Sequence, residues 1–198
     1  VGLERRRFGQ LDRTWSGPEF NRLLGKAMAE NRDDFILALY LGRYAGFRIH
    51  ECFRMDTAAA EQALRENALT VKGKGGKVRI VPIEDERILM MLKRVLAQTE
   101  RGHKLLVPDG MPTDRSINAL ELFIYRHRNE ISDEGSDRRL TFHGLRHTYA
   151  AEKYTRLTEG GMSAIDAHYA VSRLLGHERA DVTNIYLASV RKRGRDGE

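Results

Sequence analysis

A single cysteine, Cys52, is all the thiol chemistry this chain of 198 residues has. One cysteine cannot close an intrachain disulfide, so nothing in the sequence points to a secreted, oxidising setting; Cys52 reads as a small buried apolar residue. No apolar run approaches the roughly 20 residues that span a bilayer, and residues 1–10 lack the apolar centre of a signal peptide. A soluble, intracellular protein is the expectation. There is no internal repeat and no low-complexity segment. Paired-cysteine metal sites are absent, as is the Gly-x-Ser-x-Gly turn of serine hydrolases. Gly73 to Lys77 is glycine-rich and holds lysines, but Val78 stands where a nucleotide-binding P-loop needs serine or threonine after its lysine, which argues against ATP.

Positive charge is in excess. Thirty-four Lys and Arg face twenty-eight Asp and Glu, for a net charge of +6. Such a balance favours an anionic partner, nucleic acid ahead of a membrane surface. The length suits one ordinary domain with a real core.

The pattern is mostly helical. Ser16-Gly17-Pro18-Glu19 combines an N-cap, an early proline and a capping-box glutamate, predicting a helix to about Glu30. Asp33 and Asp34 open a second one, with an apolar side from Phe35, Ile36, Leu39, Tyr40 and Leu41, ending near Gly46. A third helical stretch begins around Arg48, and Asp56 caps a further one through Asn67. The period then changes. Leu69 to Lys72 and Lys77 to Val81 alternate apolar and polar residues around Gly73-Lys74-Gly75-Gly76, predicting a β-hairpin closed by Pro82. Ile88, Leu89, Leu92, Val95 and Leu96 restore helical spacing. Further helices are expected near 114–131, 143–158, 163–176 and 181–189, with residues 132–137 as an exposed loop. The fold class is therefore mainly α with a small antiparallel β-sheet. The division along the chain is a basic lead-in over 1–15, one unit over 16–190 and a basic tail over 191–198.

Several weak signals accumulate. His143, Arg146 and His147 stand at i, i+3 and i+4 of one helix, so that rings and guanidinium can address one point. A metal role for the two histidines is disfavoured: Gly144 occupies the position of the zinc-protease glutamate, and Arg146 would repel a cation. Leu174-Leu175-Gly176-His177 ends one helix, and Tyr186 falls nine positions later. Arg48 and Glu51 stand three apart, which alone reads as a surface ion pair worth under about 1 kcal/mol.

In chain order, Gly46-Phe47-Arg48, Gly-Lys-Gly-Gly-Lys-x-Arg-x-Val-Pro from Gly73, His143-x-Leu-Arg146-His147, Leu174-Leu-Gly-His177 and Tyr186 closely resemble the motifs of tyrosine recombinases, the family of phage integrases and Xer-type enzymes. The resemblance spans about 140 residues. It implies the catalytic-domain fold of that family and a site-specific recombinase that cuts and rejoins DNA through a 3′-phosphotyrosyl intermediate. It further implies that Tyr186 is the nucleophile, that Arg48 and Arg146 hold the phosphate, and that His177 donates to a phosphate oxygen. His143 lies where the family has a residue that helps deprotonate the tyrosine. The hairpin lysine that protonates the leaving 5′-oxygen is best matched by Lys74, with Lys72 and Lys77 close enough to compete. Glu51 resembles an acid that supports the arginine. Lys72, Lys77 and Arg79 are expected DNA contacts.

The chemistry explains the list. Attack on a phosphodiester builds charge on the non-bridging oxygens, and two guanidinium forks match those oxygens and stay charged at any working pH. No metal and no other cofactor, ATP included, is then required. The implied partners are double-stranded DNA, further copies of the chain as a homotetramer on DNA, and accessory DNA-bending proteins, with no membrane. The implied location is cytoplasmic and nucleoid-associated. The family usually carries an N-terminal core-binding domain of helices, which has no counterpart in these residues. A type IB topoisomerase, or a DNA-binding module without catalysis, are the competing readings; the short Leu-Leu-Gly-His to Tyr spacing favours the recombinase over the topoisomerase.

Overall fold

The computed structural model describes residues 12–73 and 78–177, together with Thr183, Tyr186, Leu187 and Val190. Lys74, Lys77, the tail 191–198 and most of the expected helix 181–189 lie outside the described residues. The rest follows the order read from the sequence: α1 (Gly17–Ala29), α2 (Asp33–Ala45), α3 (Ile49–Cys52), α4 (Thr57–Glu66), β1 (Ala68–Lys72), β2 (Val78–Pro82), α5 (Glu86–Leu96), α6 (Thr113–Ile131), α7 (Phe142–Glu159) and α8 (Ala164–Leu175). No described helix is long and apolar enough to cross a membrane.

The caps explain the starts. Ser16 accepts from Glu19 N, while the Glu19 carboxylate takes the Ser16 N–H at 2.8 Å, closing the capping box. That carboxylate is fully buried and also holds Arg138 at 3.0 Å and the Asp133 N–H at 3.1 Å. One side chain thus starts α1 and ties down the loop after α6. Asp56 caps α4 and Thr141 caps α7, each by accepting a backbone N–H.

α2 departs from the expected one-sided pattern. Every residue from Phe35 to Arg43 is buried, which makes α2 the central helix, apolar nearly all round, with α1, α5 and α7 packed against it. Arg43, near its end, is bound at both nitrogens by Glu152 of α7 at 2.6 and 2.5 Å. β1 and β2 pair antiparallel in register from Ala68–Pro82 to Lys72–Val78. Leu69, Val71 and Val81 point into the core, while Val78 and Ile80 are exposed. α4 backs β1, and α8 lies against both α7 and β2. This arrangement brings the start of α7, the end of α8 and the turn before α3 to one place.

Candidate active site

Arg48 is the residue just before the single turn of α3, in extended backbone. Its own N–H donates to Glu51 Oε2 at 2.7 Å, and its Nη1 donates to Glu51 Oε1 at 3.0 Å. The pair is not a surface feature. The Glu51 side chain is only 2% exposed, whereas Arg48 keeps 31% of its side chain open. Burial works to raise the Glu51 carboxyl, but the hydrogen bonds and charge of Arg79, with the Arg48 N–H, hold it down at about 2.

Arg79, expected to touch DNA, is committed elsewhere. Its Nη1 and Nη2 donate to Glu51 Oε1 and Oε2 at 2.8 and 2.7 Å, and its side chain is 9% exposed. A buried carboxylate so close needs a second cation, and Arg79 supplies it. Lys72 remains exposed at the end of β1.

Arg146 on α7 is fully buried. Its Nη1 donates to Gly46 O, its Nη2 donates to Leu175 O at 2.6 Å, and Nη2 also lies 3.3 Å from His177 Nε2. Gly46 is required there. Its φ of 65° is left-handed, and a Cβ would stand 2.4 Å from the Tyr149 ring. Among the described residues Arg146 touches no carboxylate. Burial, then the neighbouring Arg48 charge, lower its pKa to about 10. A buried cation held by carbonyls and a neutral imidazole, with no anion beside it, favours the arrival of one.

Tyr186 is itself buried, at 7% exposure. His147 lies against its ring at 4.4 Å between centroids and 29° between planes; His177 lies at 5.0 Å and 34°. His143 meets it edge-on at 5.5 Å, and the Arg146 guanidinium carbon is 5.6 Å from the ring centre. The three histidines are lowered to about 4 (His143), 3 (His147) and 3 (His177), first by burial and then by neighbouring charges, chiefly Arg146 for His143 and His177. They are neutral near pH 7, so the site's positive charge comes from arginine. Arginine can only donate, so His177 Nε2 has to accept from Arg146, which leaves the proton on Nδ1 facing Thr183 Oγ1 at 2.9 Å. An incoming anion that draws off the Arg146 donor would free Nε2 to take the proton.

The structure therefore brings together Arg48, Glu51, His143, Arg146, His177 and Tyr186. Three contributors went unassigned in the sequence. His147 has a signal, its i+4 spacing from His143 within the His-x-Leu-Arg-His string, but no role of its own attaches to it there. Thr183 sits three residues before Tyr186 without any motif of its own. The segment 12–15 crosses the first turn of α7: Trp15 Nε1 donates to Thr141 O at 3.0 Å, and Trp15 N donates to Thr148 Oγ1 at 2.8 Å.

A cluster of two arginines and three histidines thus gathers around a buried tyrosine on this helical frame. The model of the phage integrase family matches residues 19–193. The chain belongs to that family. It is similar to the tyrosine recombinase XerD of Pseudomonas putida, 27% identical over 170 residues, covering 82% of this chain and 51% of the relative. It is also similar to XerD of Lacticaseibacillus casei, 30% identical with coverage of 89% and 58%. Among solved structures, the XerA recombinase superimposes with a TM-score of 0.65 at 21% identity, covering 93% of this chain and 65% of that one. The integrase from mycobacterium phage Brujita gives 0.61 at 21% identity, covering 95% and 56%. The chain thus spans about half the length of the two XerD relatives.

Proposed function

We propose that this chain is the catalytic unit, over about residues 16–190, of a site-specific DNA recombinase that works through Tyr186. The observation that carries the reading is the buried Tyr186 ring against His147 and His177, 5.6 Å from an Arg146 guanidinium with no carboxylate on it among the described residues. The family match, and relatives named XerD and XerC, favour strand exchange over simple relaxation of supercoils.

The Tyr186 oxygen attacks the scissile phosphorus and the 5′-oxygen leaves, giving a 3′-phosphotyrosyl bond. Arg48 and Arg146 neutralise the non-bridging oxygens. Arg146 is already oriented by Gly46 O and Leu175 O, so little ordering is needed when the phosphate arrives. Once His177 Nε2 is relieved of its Arg146 donor and carries the ring proton, it donates to one of the same non-bridging oxygens. His143 adjoins the tyrosine and helps remove its proton, and Lys74 returns one to the 5′-oxygen. Because one phosphoester replaces another, rejoining needs no ATP, and the guanidinium pair does the work for which other enzymes use a metal. The substrate is double-stranded DNA, with Lys72 and Lys77 on its phosphates. Exchange takes place in a homotetramer, with accessory DNA-bending proteins where the site requires them, in the cytoplasm at the nucleoid. Solved neighbours include a XerH recombinase bound to its difH substrate and a lambda integrase dimer bound to a core site.

The test is a pooled library of nicked duplexes incubated with the protein in EDTA and then denatured. A covalent adduct carrying a free 5′-hydroxyl on the released strand is the expected product. Tyr186→Phe should bind the duplexes as well as the parent and form none. An adduct of equal yield in Tyr186→Phe moves the nucleophile to another tyrosine, and no adduct in the parent removes the reading.

A further inference from the structure

Glu51 presents a problem for the phosphate site. Its carboxylate is nearly solvent-free and binds Arg48 through both the backbone N–H and Nη1. A carboxylate that close neutralises the guanidinium it orients, and a neutralised pair has little pull on a phosphate. The opposing charge comes from β2. Arg79 closes a two-toothed bridge onto the same two oxygens at 2.8 and 2.7 Å. It is fixed on its other sides as well. Its guanidinium carbon lies 5.7 Å from the centre of the Phe47 ring, and a Cβ on Gly176 would come within 3.1 Å of its Cδ. Its Nε is buried and without a partner among the described residues. Arg79 is therefore enclosed by the turn before α3 and the end of α8, the two segments that carry Arg48 and His177.

We propose that Arg79 is a positioning residue whose charge offsets Glu51, so that Glu51 orients Arg48 without neutralising it. Within the cluster the cations Arg48, Arg79 and Arg146 then stand against one carboxylate. The Arg79–Glu51 pair cancels internally and Arg48 and Arg146 are left for the anion. The proposal rests on the recombinase reading for the identity of that anion, a DNA phosphate, but the electrostatic role is a property of the fold.

The experiment compares Arg79→Met, Arg79→Met/Glu51→Gln and Arg79→Met/Glu134→Gln, where Glu134 is an exposed residue of the loop after α6. Each protein is measured for adduct formation on the nicked library and for the salt dependence of binding to a random duplex. Arg79→Met should slow adduct formation roughly 100-fold, the scale of losing one donor to a developing oxyanion, and flatten the salt slope by about one phosphate. Removing the Glu51 charge as well should restore both, with a rate within about tenfold of the parent on the scale of a lost supporting contact. Restoring net charge at Glu134 should restore neither. Arg79→Lys, which keeps the charge, should lie much nearer the parent than Arg79→Met. If Arg79→Met fails to fold, the neutral double variant, in which no buried charge is left unpaired, still supplies the deciding rate. A flattened slope that persists in the Glu51 double variant would make Arg79 a DNA contact and overturn the proposal, as would rescue by Glu134→Gln. Failure of the parent to form any adduct would remove the recombinase reading, and the salt slopes would still decide the role of Arg79.

Discussion

Replacing His147 by phenylalanine separates what its ring does from what its nitrogens do. His147 is 3% exposed, its Nε2 is buried without a partner among the described residues, and its ring lies 4.4 Å from that of Tyr186. Burial holds its pKa at about 3 against the ordinary 6.5. Above pH 6.5 the ring is neutral in both folded and unfolded chains and contributes no pH dependence. Below 6.5 the unfolded chain takes up a proton that the folded chain refuses, so stability falls with pH by up to about 1.4 kcal/mol per unit until the folded pKa is reached. Between pH 7.5 and 5.0 only the stretch below 6.5 counts, which makes the loss about 2 kcal/mol, a large share of a domain's stability. His147→Phe abolishes that loss. At pH 7.5 it should change stability by no more than about 1 kcal/mol, since a slightly larger ring is offset by removal of an unpaired nitrogen. Urea melts of parent and variant at both pH values give the difference, from which the titrations of His143 and His177 largely cancel. Equal acid losses in the two proteins would refute the argument. Because the flat ring against Tyr186 is kept, adduct formation should stay within about tenfold of the parent, while His147→Ala loses far more. A stable His147→Phe protein without activity would mean that a ring nitrogen takes part in the chemistry.

Three further outcomes are open to measurement. Arg48→Lys and Arg146→Lys should each lose at least about 100-fold in adduct formation although charge is kept, because an ammonium cannot present paired donors; rates near the parent's would remove the guanidinium clamp. Gly144→Ala puts a Cβ 2.5 Å from Arg13 O and 2.7 Å from Trp15 Nε1, so the segment 12–15 must lift from α7, at a cost of about 1–3 kcal/mol read by thermal melting with Trp15 fluorescence as the local probe; an unchanged melt and spectrum would show that this contact is not maintained. If Lys74 protonates the leaving group, Lys74→Ala should be slow on ordinary DNA and recover when the 5′-bridging oxygen is sulfur, whereas recovery confined to Lys77→Ala would reassign the acid.

Element boundaries were legible wherever a local side chain fixes them. Ser16 with Glu19, Asp56 and the alternating hairpin each declare themselves within four or five residues, and the structure has α1, α4 and the β1–β2 pair there. The environment of α2 was not legible. A continuous apolar run such as Phe35 to Leu41 carries no information on which side is covered, since that depends on where α1, α5 and α7 come to rest. The site divides in the same way. His143, Arg146 and His147 share a helix face by spacing alone. Arg79, expected as a DNA contact, lies in an alternating strand in which nothing announces a buried carboxylate 28 positions earlier in the chain.

Arg146 shows why cross-chain contacts of this kind matter for the chemistry as well as for the fold. Its two carbonyl acceptors come from Gly46, just ahead of Arg48, and Leu175, just ahead of His177. One side chain therefore joins the three segments that bear Arg48, Arg146 and His177, and it does so through backbone oxygens. Hydrogen bonds to a charged donor in so dry a place are strong, yet they leave the positive charge uncancelled, because a carbonyl carries only a dipole. A carboxylate in either position would have held the guanidinium as firmly and cancelled it. The separation of roles in this cluster follows from that difference: carbonyls fix Arg146, a carboxylate fixes Arg48, and only the carboxylate requires a compensating Arg79.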